Sequence, residues 1–424
     1  MDKQKLHYGW IILIISFFVV ASSLGIGRFS YGMLLPSLQE GINLTHSESG
    51  FIASANMLGY SLGALVVGSL VFRFGSRVII SASLLGAGLS MMAIGFAGGF
   101  LSVSILRFIT GFGSAGANIA VMGLSSLWVS KNYRGIANGF LVGGSGVAIL
   151  FTGRLVPSIM GLYPEYGWRY NWFILGGMVL LIGFLSWILI KNRLQGHLAS
   201  LGSSAPNSAD ENINCPVFAV KDIINFPKVR IIAFTYFCYG ISYIIYATFF
   251  VNYLVGEKGL PQSLAGDIWS TVGLLSIGSA LIWGSISDKI GRPYALTVVY
   301  FLQGTGYVIA AAASGQIFMW VSAVIFGLTA WSIPGIMASY CGDLLGPRNA
   351  TTLLGLVTLI FSIGSIIGPS SGGFIKEISS SFASAFYLAA FFAVLGGMLS
   401  FMQQKKGSGN KDIDKKQELT AGGN

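Results

Sequence analysis

The chain has 424 residues, 54% of them apolar and only 9% charged. Soluble domains carry about 25% charged residues, so a soluble enzyme or binding module is excluded. The formal charge of +10 does not point to nucleic acid, because the basic residues sit in short loops between apolar runs.

About twelve apolar runs of spanning length follow one another: 10–35, 48–71, 78–97, 101–128, 136–158, 171–190, 231–254, 264–283, 294–314, 317–341, 351–371 and 382–402. The expected fold is an all-α integral membrane protein. The first run follows Lys3, Lys5 and His7 and ends at Pro36. It is too long for a signal-peptide core, so it reads as an uncleaved span. Thr45-His46-Ser47-Glu48 has capping-box spacing and starts the second helix. Residues 191–230 are a polar linker between two six-span halves, 1–190 and 231–402. Residues 403–424, rich in Lys, Gly and Asn, read as a disordered tail. Cys215, Cys238 and Cys341 lack metal or redox spacing and read as free thiols.

Orientation follows from Lys and Arg. With the N-terminus inside, nineteen of the 25 basic residues fall on the cytoplasmic side, and only Arg169, Lys258 and Lys376 fall outside. This predicts a multi-pass protein of the cytoplasmic (inner) membrane with both termini cytoplasmic.

The other three basic residues, Arg28, Arg107 and Arg154, lie within spans, all toward the outer side. An arginine at a span centre costs about 2.5–3.5 kcal/mol on insertion scales, so each is a functional hypothesis. Apart from Glu48, at a span entry, no acidic residue lies within the apolar runs of the first six spans to neutralise them, and unpaired buried cations are unfavourable. Either all three snorkel, or something anionic completes them. Guanidinium suits carboxylate, sulfonate or phosphate because its donors form a planar fork. Arg107 has a second alternative, tying neighbouring helix carbonyls, and Arg154 has the outer headgroups. Tyr31 is close to Arg28. Ser114 and Asn118 share the face of Arg107 at helical spacing, where polar helix contacts are the competing reading.

The last six spans hold no arginine. The seventh carries Tyr236, Tyr239, Tyr243, Tyr246 and Tyr253 on one face. Such a stripe is packing or an interface belt, or else a phenolic wall to which Tyr239, Tyr243 and Tyr246 contribute. Trp331 in span ten is a further wall candidate. Asp267, one turn into span eight, either complements a helix N-terminus or titrates and couples protons. His7, His46 and His197 carry no assigned role. No Walker loop, metal cluster or nucleophile motif is present, so no enzyme activity or cofactor is expected.

The halves repeat. Gly68-Ser-Leu-Val-Phe72-Arg73-Phe-Gly75-Ser-Arg77 follows span two, and Gly284-Ser-Ile-Ser-Asp288-Lys289-Ile-Gly291-Arg292 follows span eight, 216 positions later. Arg107-Phe-Ile-Thr-Gly111-Phe-Gly113 lies in span four and Gly139-Phe-Leu-Val-Gly143-Gly144 in span five. Together these resemble the loop, R-x-x-x-G-x-G and glycine-rich motifs of the major facilitator superfamily. The resemblance covers nearly the whole chain apart from linker and tail. The Gly25–Pro36 stretch is similar to the YbfB/YjiJ-type branch, and the general plan to monocarboxylate-type carriers. The resemblance implies two six-helix halves with a site between them, cavity-lining roles for spans one, four and five, and gating by Arg73, Gly75, Arg77, Asp288, Gly291 and Arg292. Phe72 stands where the motif has an acid, so the implied lock rests on Asp288.

The expected function is secondary transport of a small organic anion by alternating access, coupled to protons or to a counter-anion. Membrane lipid is the surrounding partner, and the plan works as a monomer. An exporter of neutral or cationic compounds would require acids in the cavity. A non-transporting receptor or sensor lacks a soluble domain to carry its signal.

Overall fold

The computed structural model describes residues 3–129, 133–190 and 220–404. Residues 191–219 of the expected linker, with Cys215, and the tail from 405 lie outside the described residues; Val220–Asn225 form a short helix. Among the described residues, twelve helices are long and apolar enough to span a membrane: α1 (Tyr8–Gly41), α2 (His46–Phe74), α3 (Ser76–Ile94), α4 (Phe100–Ser125), α5 (Gly135–Leu162), α6 (Gly167–Leu189), α7 (Pro227–Gly256), α8 (Gln262–Ile290), α9 (Arg292–Ala312), α10 (Gln316–Gly346), α11 (Asn349–Ser379) and α12 (Phe382–Gln404). All twelve expected runs are found, most of them longer than their apolar stretches. Helices have no polar stop at the hydrocarbon edge and run on until a cap or glycine ends them.

α1 passes through Pro36 rather than ending there, because Ser30–Leu38 is buried throughout and packing holds the turn that the proline weakens. The capping box at the start of α2 forms. Glu48 N–H donates to Thr45 Oγ1 at 3.1 Å, and Thr45 N–H to Glu48 Oε2 at 2.8 Å. Cys238 and Cys341 are buried free thiols.

Small residues set the helix contacts. In α2 and α4, Gly59 meets the Phe108 carbonyl and Gly111 the Asn56 carbonyl, each so closely that a Cβ would sit about 2 Å from the oxygen. Gly113, the last glycine of the R-x-x-x-G-x-G motif, meets the Ser83 carbonyl of α3 in the same way. Lipid tails supply no hydrophobic drive between helices, so close backbone approach replaces it.

We call the side holding the start of α1 and the end of α12 the terminal face, and the opposite side the distal face. Three seams join the first six helices to the last six. Along α5, Gly139, Gly143, Gly146 and Gly153 face α8, and Ser270 donates to the Leu150 carbonyl at 3.0 Å. At the distal end of α2, Gly50 abuts Pro369 of α11, and Ser54 donates to the Ile366 carbonyl at 2.5 Å. Between α1 and α7, Gly32 abuts the Ala247 carbonyl, and Asn252 donates to Gln39 at 2.9 Å. The described side-chain hydrogen bonds across these seams run from mid-depth to the distal face.

At the terminal face, the α2–α3 and α8–α9 turns adopt one conformation, Gly75 at φ 83°, ψ 155° and Gly291 at φ 90°, ψ 143°. These left-handed angles favour glycine, and they recur at the 216-residue offset.

Candidate functional site

α1 changes its winding midway. Ala21–Phe29 is a π-helix flanked by α-helix. Its sequence, ASSLGIGRF, is small and flexible, and two glycines let neighbours press in. A Cβ on Gly25 would fall 2.2 Å from the Ala148 methyl of α5, and one on Gly27 would fall 2.8 Å from Ser114 Oγ of α4. A wide turn of this kind disrupts the i−4 ladder and is often found at functional sites.

Arg107 serves that irregular backbone. Its Nη1 donates to the Gly27 carbonyl at 2.7 Å and its Nη2 to the Arg28 carbonyl at 3.4 Å. The side chain is only 1% exposed, with the guanidinium over the rings of Tyr31 and Trp172 at 4.9 and 5.8 Å. The α4 backbone at this point is itself held, because Asn56 of α2 donates to the Arg107 carbonyl at 2.9 Å. This is the helix-tying alternative, built from the carbonyls at the end of the π turn. Tyr31 belongs to the same strut, buried and donating to the Ser49 carbonyl at 2.8 Å.

Arg28 is held differently. Its Nη2 donates to Tyr243 of α7, across the α1–α7 seam. Its guanidinium carbon lies 5.5, 5.3 and 5.8 Å from the ring centroids of Phe29, Tyr60 and Tyr243. Tyr60 in turn accepts from Asn118 Nδ2 at 2.9 Å. Arg28 Nε, Asn118 Oδ1 and Ser114 Oγ are buried and unpartnered among the described residues. Arg28 takes part in none of the described ion pairs. The result is a half-buried cation among ring faces, which attract it, with no carboxylate paired with it among the described residues. On its distal side Arg28 borders a cavity of about 10 Å³ with Tyr31, Met57, Arg107, Ala247 and Thr248, room for no more than about one water. The α1–α7 seam closes the chain above it.

The aromatic wall comes mainly from α7 and α11. Tyr239 stacks on Tyr243 at 4.6 Å and Tyr236 on Phe361 at 4.6 Å. The tyrosine face is not one surface, however. Tyr246 packs against Phe250, Tyr307 and Phe326 inside the last six helices and pairs with Ser322 at 2.7 Å. Tyr239 donates to the Ala330 carbonyl at 2.6 Å. That carbonyl lies four residues before Pro334, which has no N–H to offer it, so the phenol caps a break in α10. Trp331 stands in this break and packs on Phe29 with ring centroids 4.8 Å apart.

Arg154 does not reach Arg28's surroundings. Its side chain is 74% exposed and faces Asp267 of α8, with Nε 3.6 Å from Oδ1. The acid absent from the first six spans comes from the eighth, and two residues expected to have separate roles form one surface pair. At the terminal face, Asp288 pairs with Arg292 at 2.5 Å and Arg292 with Asp343 at 3.1 Å, all within the last six helices. Arg77 donates to the Trp187 carbonyl at 2.6 Å, and Arg73 lies over Phe74.

Tyr60 and Phe361 complete the surroundings of Arg28 but were not picked out from sequence. Tyr60 had a usable signal: it lies between Gly59 and Gly63, the residues that pull α2 onto α4. Phe361 had none, since phenylalanine on α11 reads as lipid-facing.

Comparison with known proteins agrees with this architecture. Human monocarboxylate transporter 11 is 24% identical over 408 residues, covering 92% of this chain and 82% of the relative. The hexuronate transporter of Bacillus subtilis is 22% identical, covering 88% and 89%. A crystal structure of a bacterial homologue of the human lysosomal transporter Spinster, inward-facing and occupied, superposes with a TM-score of 0.75. It is 14% identical and covers 96% of this chain and 98% of that one, a likeness of fold. The family model described as uncharacterised MFS-type transporter YbfB matches residues 20–401. The chain belongs to this family of major facilitator transporters, and is a twelve-span membrane transporter rather than an enzyme.

Proposed function

We propose that the protein carries a small organic anion, carboxylate-like in charge and shape, across the cytoplasmic membrane, with Arg28 as its anchor. One observation carries this reading: Arg28 is a half-buried guanidinium at a seam between the two groups of helices, with aromatic rings and one phenol around it and no acid paired with it among the described residues. An anion completes its charge, and the rings supply an apolar wall. Relatives named for monocarboxylate and hexuronate transport support the same class of cargo. Asn118, Ser114, Tyr60 and Trp331 are the polar and aromatic neighbours proposed to contact it, while Arg107 holds the backbone that presents Arg28.

The terminal face is assigned to the cytoplasm on the lysine and arginine bias. Alternating access would part the α1–α7 and α2–α11 seams at the distal face, turning about the α5–α8 glycine seam. The paired turns at Gly75 and Gly291, with Arg73, Arg77, Asp288 and Arg292, are the proposed gating elements at the cytoplasmic side.

A thermal-shift screen of the purified protein tests the anion reading directly. Lactate, glucuronate and alkyl sulfonates are compared with glucose as the neutral control. Stabilisation by anions, lost in Arg28→Ala, is expected. Stabilisation by glucose alone would remove the anion site.

A further inference from the structure

Resting on the reading of Arg28 as the anion anchor, we infer that Tyr243 is a built-in substitute for the cargo. It takes the anion's place on Arg28 and lets the carrier complete its cycle unloaded, so that net transport and not only exchange is possible.

A guanidinium forks a carboxylate either side-on, through Nε and the neighbouring Nη, or end-on, through both Nη nitrogens. Nη2 belongs to both edges, and Tyr243 is bonded there, while Nε has no partner. An anion forking onto either edge competes with the phenol at that nitrogen. Cargo and Tyr243 are therefore rivals for Arg28, which separates Tyr243 from an ordinary cargo-contacting residue.

The rivalry is tied to the distal closure because both partners stand on the helices that make it. Four residues beyond Arg28 comes Gly32, and four residues beyond Tyr243 comes Ala247. These two abut at the α1–α7 seam, where a Cβ on Gly32 would fall 2.6 Å from the Ala247 oxygen. Further out, Asn252 and Gln39 continue the same line at 2.9 Å. A cation left without any partner would resist being enclosed there. With the Tyr243 phenol and the rings of Phe29 and Tyr60 around it, Arg28 can be enclosed with no cargo aboard. Tyr243 is itself kept in place by stacking on Tyr239, so the substitute is within reach whenever the seam is closed.

The test is Tyr243→Phe, which keeps the stacked ring and removes the hydroxyl. Purified wild type and variant are compared for lactate and glucuronate binding by thermal shift. In liposomes, net uptake into empty vesicles is compared with exchange into vesicles preloaded with the same anion. Loss of the rival should tighten binding on the order of tenfold, the scale of one hydrogen bond to a charged group. It should also lower net uptake so that the ratio of exchange to net uptake rises at least fivefold. Weaker binding, with net uptake and exchange falling together, would make Tyr243 a plain cargo ligand and overturn the inference. An unchanged ratio would also overturn it. If wild type binds neither anion, the reading of Arg28 itself fails, and that outcome is visible before the variant is made.

Discussion

Arg107 and Arg28 lie side by side, close enough for one to bond the other's carbonyl, yet they are held in opposite ways. Arg107 is sealed in, and both of its Nη groups donate to carbonyls of the π turn, while its Nε has no partner among the described residues. Arg28 is half-buried, bonded to one phenol, and otherwise faces π clouds. The same side chain is a fastener in one case and an open valence in the other. Neither depth in the membrane nor the absence of nearby acids separates them; what separates them is whether irregular backbone is within reach.

The sharpest way to break this contrast is Arg107→Ala. It removes the bonds to the Gly27 and Arg28 carbonyls and opens a hole beside Trp172, so destabilisation of about 2–5 kcal/mol is expected. A large fall in melting temperature in detergent would report it. If the variant melts like wild type and loses only anion binding, Arg107 joins Arg28 in the site and the contrast collapses. Arg28→Ala is the counterpart. It should fold with a melting temperature close to wild type and bind lactate or glucuronate at least tenfold more weakly, the value of one or two charged hydrogen bonds. Arg28→Lys keeps the charge but loses the fork, and should recover only part of that affinity.

Gly32→Val probes the seam above Arg28. Its branched side chain needs the space of the Ala247 carbonyl, so the distal face should fail to close. Uptake should then fall by an order of magnitude or more in a protein that still binds the anion. Loss of binding together with uptake would instead show that the seam shapes the site itself.

The smallest effect belongs to the third arginine. Arg154 and Asp267 form an exposed pair, and such pairs contribute within about 1 kcal/mol. Arg154→Ala and Asp267→Asn should each shift the melting temperature by no more than a few degrees and leave the pH profile of uptake unchanged. A pH dependence lost in Asp267→Asn alone would restore Asp267 as the proton carrier.

Much of the scaffold was legible from the chain. Apolar runs marked all twelve helices, the 216-residue repeat located Gly75 and Gly291, and Thr45 and Glu48 announced their cap. The arginines were legible as a set, but not their separate surroundings. In a helix bathed in lipid, the outward and inward faces are both apolar, so periodicity does not say which way Arg154 points. The π turn at Ala21–Phe29 leaves no pattern beyond its small residues, and it is what gives Arg107 something to bond. The Arg154–Asp267 pair joins α5 to α8, a contact between residues more than a hundred positions apart. Tyr239 read as part of a cavity wall because nothing in the seventh span reveals that Pro334, in the tenth, leaves a carbonyl needing a donor.

The single uncompensated cation on α1 has an electrical consequence. Arg28 is covalently part of the helix, so in the proposed cycle an anion bound to it would depart with its own charge intact. Each unaccompanied turnover of a monoanion would then move one negative charge through the membrane field, worth about 2.3 kcal/mol per 100 mV. An inside-negative potential would oppose inward and favour outward movement by that amount. Unless a proton travels along, membrane voltage sets the direction of net work as firmly as the concentration gradient does.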